Sequence, residues 1–217
     1  MKLTIIYNNE SNPGLKSGWG FSCLIEEDGK KILFDTGDKG DALLYNMEKL
    51  GFDANDIDIV VLSHNHWDHT GGLIDLLKLN SNLKVFVLRS FSENIKDEIK
   101  SKAKLLEVEK EQKINENVYT TGLIKNDPDE QSLIIKTEKG IMVIVGCSHP
   151  GVDKILKIAK RYGKIYGIIG GFHGFSDLDA LEGIEVIGAC HCSHHKDKIK
   201  ERFPKQFIEV RAGDVIE

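Results

Sequence analysis

The sequence lacks a long hydrophobic run, and this absence limits where the protein can work. A membrane-spanning helix needs about 20 consecutive apolar residues, and no stretch of the chain approaches that length. The opening stretch MKLTIIYNNE has only a few apolar residues before polar ones, too few for the hydrophobic segment of a secretion signal. We therefore expect a cytoplasmic protein that does not bind membranes.

Cysteine is also scarce, and an excess of positive charge is lacking. The four cysteines, without a sign of export, are expected to be thiols rather than disulfides. Asp and Glu (34) outnumber Lys and Arg (29), so an extended surface for nucleic acid is not expected. A hydrophobic fraction of 41% in 217 residues can fill one core, so we predict a single domain over residues 1–217. The expected partner is a small molecule, and the composition indicates no oligomeric state.

The apolar pattern repeats one order of elements in each half of the chain. In both halves a predicted β-hairpin precedes alternating helices and strands, and the hairpin turns are Asp28-Gly29 and Lys139-Gly140. The later elements include a helix over residues 91–104 and a final strand, FIEVR, over residues 207–211. We predict an α/β fold in which two mixed β-sheets pack face to face with helices outside.

The eight histidines lie directly after strand-like runs or in loops beside glycine or cysteine. They occur in four places: His64, His66 and His69; His149; His173; and His191, His194 and His195. In SHNHWDH, extended chain projects His64 and His66 to one side, and Asp68 and His69 follow after a bend. Four ligands so close in sequence do not fit comfortably around one tetrahedral ion. Two ions about 3.5–4 Å apart could each bind one pair of them. The spacing therefore predicts a dinuclear metal centre.

Two motifs carry a resemblance to a known family. SHNHWDHTGG resembles the His-x-His-x-Asp-His signature of the metallo-β-lactamase superfamily, and ILFDTG, at residues 32–37, resembles its first motif. The resemblance implies a four-layer αββα sandwich. It also implies that His64 and His66 bind one metal ion. Asp68 and His69 would bind the other, and Asp35 would orient the ligand loop through hydrogen bonds.

The second half departs from the common pattern of that superfamily. Where a typical member has a histidine ahead of the second hairpin, this sequence has only Asp127, Asp129 and Glu130, in what reads as an exposed turn. After the strand IMVIVG comes Gly-Cys-Ser-His instead of Gly-Asp. We therefore expect His149 to be the replacement ligand. Two alternatives stay open: Cys147 could bridge the ions as a thiolate, or one of the three acids could be a ligand.

The stretch GACHCSHH supplies the last expected ligand. His191 matches the final motif of the superfamily best, because it follows a strand and small residues. An alternative is a separate structural zinc site of Cys190 and Cys192 with His194 or His195, although Cys-x-Cys is tighter than the usual zinc spacing. Otherwise, His194 and His195 are expected at the solvated rim.

GGFHG places His173 between glycines, where a histidine can approach a substrate closely. We expect His173 to act as an acid or to contact an anion. Together, Gly-Cys-Ser-His, Gly-Gly-Phe-His and His-Cys resemble one subgroup of the superfamily, the dihydropterin-type metallo-hydrolases described as ribofuranosylaminobenzene 5′-phosphate synthases.

These residues favour a hydrolase whose two divalent ions activate water against a phosphoester, a thioester or a related small substrate. Zinc is the expected metal, with manganese or iron as alternatives. Asp68 would bind metal and accept the proton of the attacking water. Two alternatives stay open: a transferase or synthase of pterin-type cofactor biosynthesis on the same centre, and a non-catalytic metal-binding or sensing module. His66 argues against an iron-based oxygen or nitric oxide reductase, which usually has Glu there.

Overall fold

The computed structural model describes residues 1–217, which divide into two compact units. Unit 1 comprises residues 1–109 and 211–217, and unit 2 comprises residues 110–210. Each unit contains one β-sheet with its own helices. The chain forms no helix with the length and apolarity that a membrane crossing requires. The single domain over residues 1–217 stays a prediction.

Thirteen strands and six α-helices make up the two units. The strands are β1 (Lys2–Tyr7), β2 (Ser22–Glu27), β3 (Lys30–Phe34), β4 (Ile59–Val61), β5 (Lys84–Leu88), β6 (Lys104–Val108), β7 (Gln112–Lys113), β8 (Val118–Thr120), β9 (Leu133–Thr137), β10 (Gly140–Val145), β11 (Ile165–Gly171), β12 (Val186–Cys190) and β13 (Val215–Ile216). The helices are α1 (Gly40–Lys49), α2 (Trp67–Thr70), α3 (Leu73–Leu79), α4 (Glu93–Lys100), α5 (Val152–Ala159) and α6 (Lys196–Arg202), and two short 3₁₀ helices cover Ala54–Asp56 and Leu178–Leu181.

Unit 1 contains a seven-stranded sheet in the order β13-β1-β2-β3-β4-β5-β6. Neighbours from β13 to β3 are antiparallel, and those from β3 to β6 are parallel. The carboxyl ends of β3 and β4 therefore meet at one edge of the sheet. Asp35 follows β3, and the SHNHWDH stretch follows β4, so this edge gathers the first set of predicted site residues.

Unit 2 contains a six-stranded sheet in the order β12-β11-β10-β9-β8-β7. β10, β11 and β12 are parallel neighbours, whereas β10 back to β7 pair antiparallel. Loops with Cys147 and His149, with His173, and with His191 leave the carboxyl ends of the three parallel strands. The second set of predicted site residues thus shares one sheet edge.

The core of unit 2 shows why its sequence folds this way. β10 buries five successive residues, 141–145, which suits a central strand covered on both faces. In α5 the buried residues are Val152, Ile155, Leu156 and Ala159, a spacing that forms one apolar stripe on a helix. Both elements contribute to one buried apolar cluster that holds the loops after the parallel strands in place.

The structure confirms the α/β class, the two mixed sheets and both predicted hairpins, β2–β3 and β9–β10. One predicted boundary and one predicted strand are wrong. The helix expected over residues 91–104 forms but ends at Lys100, and β6 begins at Lys104 because that segment pairs with β5. FIEVR forms no strand, since Phe207 makes only a single bridge to Ile187.

Candidate metal centre

In unit 1, Asp35 organises two of the predicted ligands through hydrogen bonds. Its Oδ2 accepts from the hydroxyl of Ser63 at 2.7 Å and lies 2.7 Å from Nδ1 of His69. Its Oδ1 accepts from the backbone N–H of Ser63 at 2.7 Å. The Ser63 hydroxyl lies 2.9 Å from Nδ1 of His64. Asp35, Ser63, His64 and His69 have no solvent exposure.

This chain of bonds sets the tautomer of both imidazoles. Because the carboxylate of Asp35 accepts hydrogen bonds only, Nδ1 of His69 carries the proton there. The Ser63 hydroxyl donates to Asp35, so it accepts from Nδ1 of His64. Both rings then present the lone pair of Nε2, the atom that a metal ion requires. Such partners orient imidazole ligands in metal sites and raise their basicity.

The ligand atoms of the four side chains form two close pairs. His64 Nε2 lies 3.0 Å from His66 Nδ1, and His69 Nε2 lies 3.7 Å from Asp68 Oδ2. Two ligand atoms at about 2.0–2.1 Å from one tetrahedral zinc ion are about 3.3 Å apart. Each pair is therefore close to the separation that one shared ion imposes.

The local backbone explains how so short a stretch presents four ligands. His66 is extended and precedes α2, where Asp68 and His69 fall in the first helical turn. The turn is held by the Thr36 N–H and hydroxyl, which donate to the His69 carbonyl at 2.8 and 3.0 Å. The predicted bend after His66 is confirmed. A Cβ on Gly72 would lie 2.4 Å from the Thr36 carbonyl oxygen, so the glycine allows this close approach.

A buried tyrosine, Tyr7, contacts the residues around the end of the first motif. The Tyr7 hydroxyl donates to the Asp38 carboxylate. Burial and this carboxylate raise the pKa of Tyr7 well above its ordinary value, so Tyr7 stays a neutral donor. Gly37 lies against the Tyr7 ring, and its carbonyl accepts from the N–H of Gly71 at 2.9 Å. These contacts fix the Thr-Gly-Gly end of the ligand motif.

In unit 2, a buried carboxylate shapes the loop that carries Cys147 and His149. Glu130 is fully buried, and its Oε1 accepts the N–H groups of Cys147 and Ser148 at 2.9 Å each. Its Oε2 accepts the N–H of His149 at 2.8 Å. The expectation of an exposed turn is therefore wrong for Glu130, whose carboxylate holds the loop backbone. Asp127 is exposed as expected, and Asp129 is half-buried.

Residues with left-handed backbone mark the ends of the strands that carry predicted ligands. φ is 57° at Asp35, 59° at Ser148, 43° at His173 and 51° at His191. Non-glycine residues take this conformation rarely, and such strain concentrates at functional sites. Sequence patterns did not indicate it, because none of these positions is glycine.

Gly171 lets the three loops of unit 2 approach one another. A Cβ there would lie 2.5 Å from the Gly146 carbonyl oxygen and 2.6 Å from the Cys192 sulphur. Ligand atoms of Cys147 and His191 lie within 4.8 Å of each other. Cys192 directs its thiol to the Cys147 carbonyl oxygen at 3.8 Å, which does not favour the alternative site with Cys190.

The remaining histidines of unit 2 form a row. The rings of His149 and His173 are 4.8 Å apart, and those of His173 and His194 are 5.2 Å apart. His173 and His194 are exposed, and His195 directly precedes α6. The structure thus brings the rings of His149 and His173 together. Ser63 was not predicted to support the site, and Glu130 was left open only as a metal ligand, since both supporting roles come from folding rather than from a motif.

Comparisons with known proteins identify the family. The sequence profile of the metallo-beta-lactamase superfamily matches residues 20–152. The chain is 31% identical to the 7,8-dihydropterin-6-methyl-4-(beta-D-ribofuranosyl)-aminobenzene-5'-phosphate synthase of Methanocaldococcus jannaschii, over 92% of this chain and 89% of that protein. It is 30% identical to an uncharacterized protein of the same archaeon, over 99% of both chains.

A solved structure described as a metal-dependent hydrolase of the beta-lactamase superfamily has a TM-score of 0.83 and 28% identity, over 100% of this chain and 98% of that one. This likeness confirms the predicted metallo-β-lactamase fold, and the synthase confirms the predicted resemblance to the dihydropterin-type subgroup. The chain belongs to the metallo-beta-lactamase superfamily.

Proposed function

We propose that the protein is a metal-dependent hydrolase with a dinuclear centre that acts on a small phosphoester, thioester or related substrate. The observation that supports this most directly is the buried chain of bonds from Asp35. This chain determines that Nδ1 carries the proton, directly in His69 and through Ser63 in His64. A buried carboxylate that orients two imidazoles in this way has a clear use when their Nε2 atoms bind metal.

The ligand assignment remains that of the sequence motifs. His64 and His66 would hold one ion, Asp68 and His69 would hold the second, and His149 and His191 are the further proposed ligands. Cys147 stays open as a further ligand. Imidazole, carboxylate and thiolate suit zinc, with manganese or iron as alternatives. The spacing within each unit is compatible with this set.

The chemistry of the proposed reaction divides between the metal and the side chains. Two divalent ions, when bound, supply Lewis acidity and lower the pKa of water toward neutrality. Asp68 is buried beside His69 and accepts the proton of the attacking water. His173 is exposed next to His149 and donates a proton to the leaving group or contacts the anion.

A second candidate is a transferase or synthase of pterin-type cofactor biosynthesis on the same centre. The relative that is named as a dihydropterin synthase favours it, because the likeness extends over 92% of this chain. The fold hosts several chemistries, so the fold alone does not choose between them.

Metal analysis and a substrate panel test the proposal together. We expect about two zinc or manganese ions per chain after reconstitution, and turnover of at least one compound among phosphodiesters, phosphomonoesters, thioesters and lactones. His64→Ala should lower metal content and abolish turnover, whereas His195→Ala should leave both unchanged. Metal binding without turnover of any panel member would refute the hydrolase and leave the synthase and the sensing module. A protein that binds no metal after reconstitution would refute the proposal and both alternatives.

A further inference from the structure

Two exposed histidines of unit 2, His173 and His194, lie side by side on different loops. His173 follows β11, and His194 lies between β12 and α6. The centroids of their rings are 5.2 Å apart. His194 has no part in the proposed dinuclear centre, and His173 has only the role of an acid or an anion contact there. The proposed function therefore does not explain why two imidazoles meet at this position.

Hydrogen bonds join the two loops and fix the separation of the pair. The N–H of His194 donates to the carbonyl oxygen of His173 at 2.9 Å. One residue earlier in each loop, the N–H of Phe172 donates to the Ser193 hydroxyl at 2.9 Å, and that hydroxyl donates to the Cys190 carbonyl at 2.6 Å. With a φ of 43°, His173 has a backbone conformation that persists only where the surrounding contacts hold it. The fold thus presents both imidazoles from a fixed backbone.

The separation of the two rings is the one that a shared metal ion requires. An imidazole nitrogen binds zinc at about 2.0–2.1 Å, which places the centroid of its ring about 3.2 Å from the ion. At the tetrahedral angle, two such centroids are about 5.2 Å apart. The centroids of His173 and His194 have this separation, with the ring planes inclined by 73°. Since χ2 of histidine is a broad torsion and both side chains are exposed, ring rotation directs a nitrogen of each to a common point.

The charges near the pair favour a cation. His173 lines an open cleft of about 370 Å³ together with two carboxylates, Asp153 and Asp177, and neither lysine nor arginine lines it. On the neighbouring helix α6, the ammonium group of Lys196 is paired with Glu209 at 2.8 Å, so its charge is balanced locally. Negative charge attracts a divalent ion, and imidazole suits zinc, copper and nickel.

We propose that His173 and His194 bind one further divalent transition-metal ion, zinc or a similar metal, at the rim of the site. Water completes its coordination, and with two protein ligands it is held less tightly than an ion with the usual three or four. Binding at this rim site does not depend on the proposed function, but its consequence does. An ion on His173 replaces the proton that His173 would donate to the leaving group, so excess zinc should inhibit hydrolysis.

Calorimetric titration with zinc chloride tests this inference on the full-length protein. The protein is first reconstituted with zinc and gel-filtered, which removes loosely bound ions. We expect one further ion per chain to bind in the titration. His173→Ala and His194→Ala should each remove this event or raise its Kd at least tenfold, because loss of a ligand costs at least as much as loss of a partner that orients one.

His195→Ala is the matched control for His194→Ala. His195 is the next residue of the same loop and is half-buried, but it takes no part in the ring contact between His173 and His194. The control variant should keep the further binding event. Zinc content after gel filtration should be the same in His194→Ala, His195→Ala and the unmodified protein, which together with circular dichroism shows that the centre and the fold are intact.

The outcomes distinguish the rim site from the proposed function. If the unmodified protein bound no further zinc, the pair would be an edge-to-face contact only, and if His194→Ala kept the event, the ion would be an adventitious ion only. Either result would overturn the inference, even with metal content and hydrolysis as proposed. Inhibition by excess zinc that persists in His194→Ala would overturn the inhibitory role. Binding lost in both variants of the pair and kept in His195→Ala, in a protein that hydrolyses nothing, would support the rim site and refute the hydrolase.

Discussion

Replacing Glu130 by glutamine should loosen the loop that carries Cys147 and His149. The substitution, Glu130→Gln, keeps the size of a fully buried side chain and removes its negative charge. In the unmodified protein the two carboxylate oxygens accept three backbone N–H groups, from Cys147, Ser148 and His149. A glutamine has one carbonyl oxygen and one NH₂ group, so it cannot accept all three.

The expected loss of folding stability follows from these contacts. In its better orientation the amide oxygen of the introduced glutamine replaces Oε1 and keeps the bonds to Cys147 and Ser148, each weaker by about 1 kcal/mol without the charge. The NH₂ group then faces the N–H of His149, where a lost bond and a buried unsatisfied donor cost about 1–3 kcal/mol more. Burying an amide instead of a carboxylate offsets part of this loss, so we expect a net destabilisation of about 3 kcal/mol.

Thermal unfolding and metal titration measure the two consequences. A change of about 3 kcal/mol in a chain of this size lowers Tm by about 6–12 °C. Because His149 is a proposed ligand, zinc affinity should fall as well. Glu138→Gln, at the exposed turn between β9 and β10, is the matched control and should change neither quantity. A Tm and a zinc affinity equal to those of the unmodified protein would show that the Glu130 contacts do not hold the loop.

Three further changes test other parts of the site. Asp68→Asn should lower turnover by about 100-fold or more, as for loss of a general base or metal ligand, and near-normal kcat at full metal occupancy would contradict its role. His149→Ala should reduce metal content measured by atomic emission, whereas Asp129→Ala should not; the reverse result would place a carboxylate in the centre. Gly171→Ala brings a Cβ to 2.5 Å from the Gly146 carbonyl oxygen, so Tm should fall by several degrees, and an unchanged Tm would show that the loops can separate.

Local sequence patterns were enough to predict most of the fold. Asp28-Gly29 and Lys139-Gly140 predicted both hairpins, because these pairs suit tight turns between apolar runs. FIEVR misled because its apolar residues are those of a strand, yet only one bridge joins it to β12. A strand depends on a paired neighbour as well as on its own residues, and the sequence of FIEVR does not contain that neighbour.

The candidate site also contains residues that a local motif reveals and residues whose role depends on neighbours brought close by folding. SHNHWDH could be found from sequence, since its residue types and spacing already contain the chemistry of a metal ligand set. Ser63 and the supporting role of Glu130 could not, because each contributes hydrogen bonds to residues brought near by folding. Glu130, two residues after Pro128, is expected in an ordinary surface turn, yet the structure buries its carboxylate, which accepts the N–H of Cys147.

Asp35→Asn tests whether the first motif acts through the imidazole tautomers. Asn tolerates the left-handed backbone of residue 35, so the substitution adds little strain. If its NH₂ group faces His69, Nδ1 there must become an acceptor, and the proton moves to Nε2, the proposed ligand atom. If it faces the N–H of Ser63, two donors oppose each other in a buried site.

Both orientations of that asparagine weaken the centre, so zinc affinity should fall by about 10- to 100-fold, the usual effect of removing such a partner. Competition with a zinc-binding dye measures the affinity, and the ¹⁵N chemical shifts of His69 report which nitrogen carries the proton. Asp28→Asn is the control, because Asp28 also has left-handed backbone but lies in the β2–β3 turn. If Asp35→Asn kept the affinity and the Nδ1-protonated form of His69, Asp35 would be a folding residue of this edge and not the group that prepares the ligands.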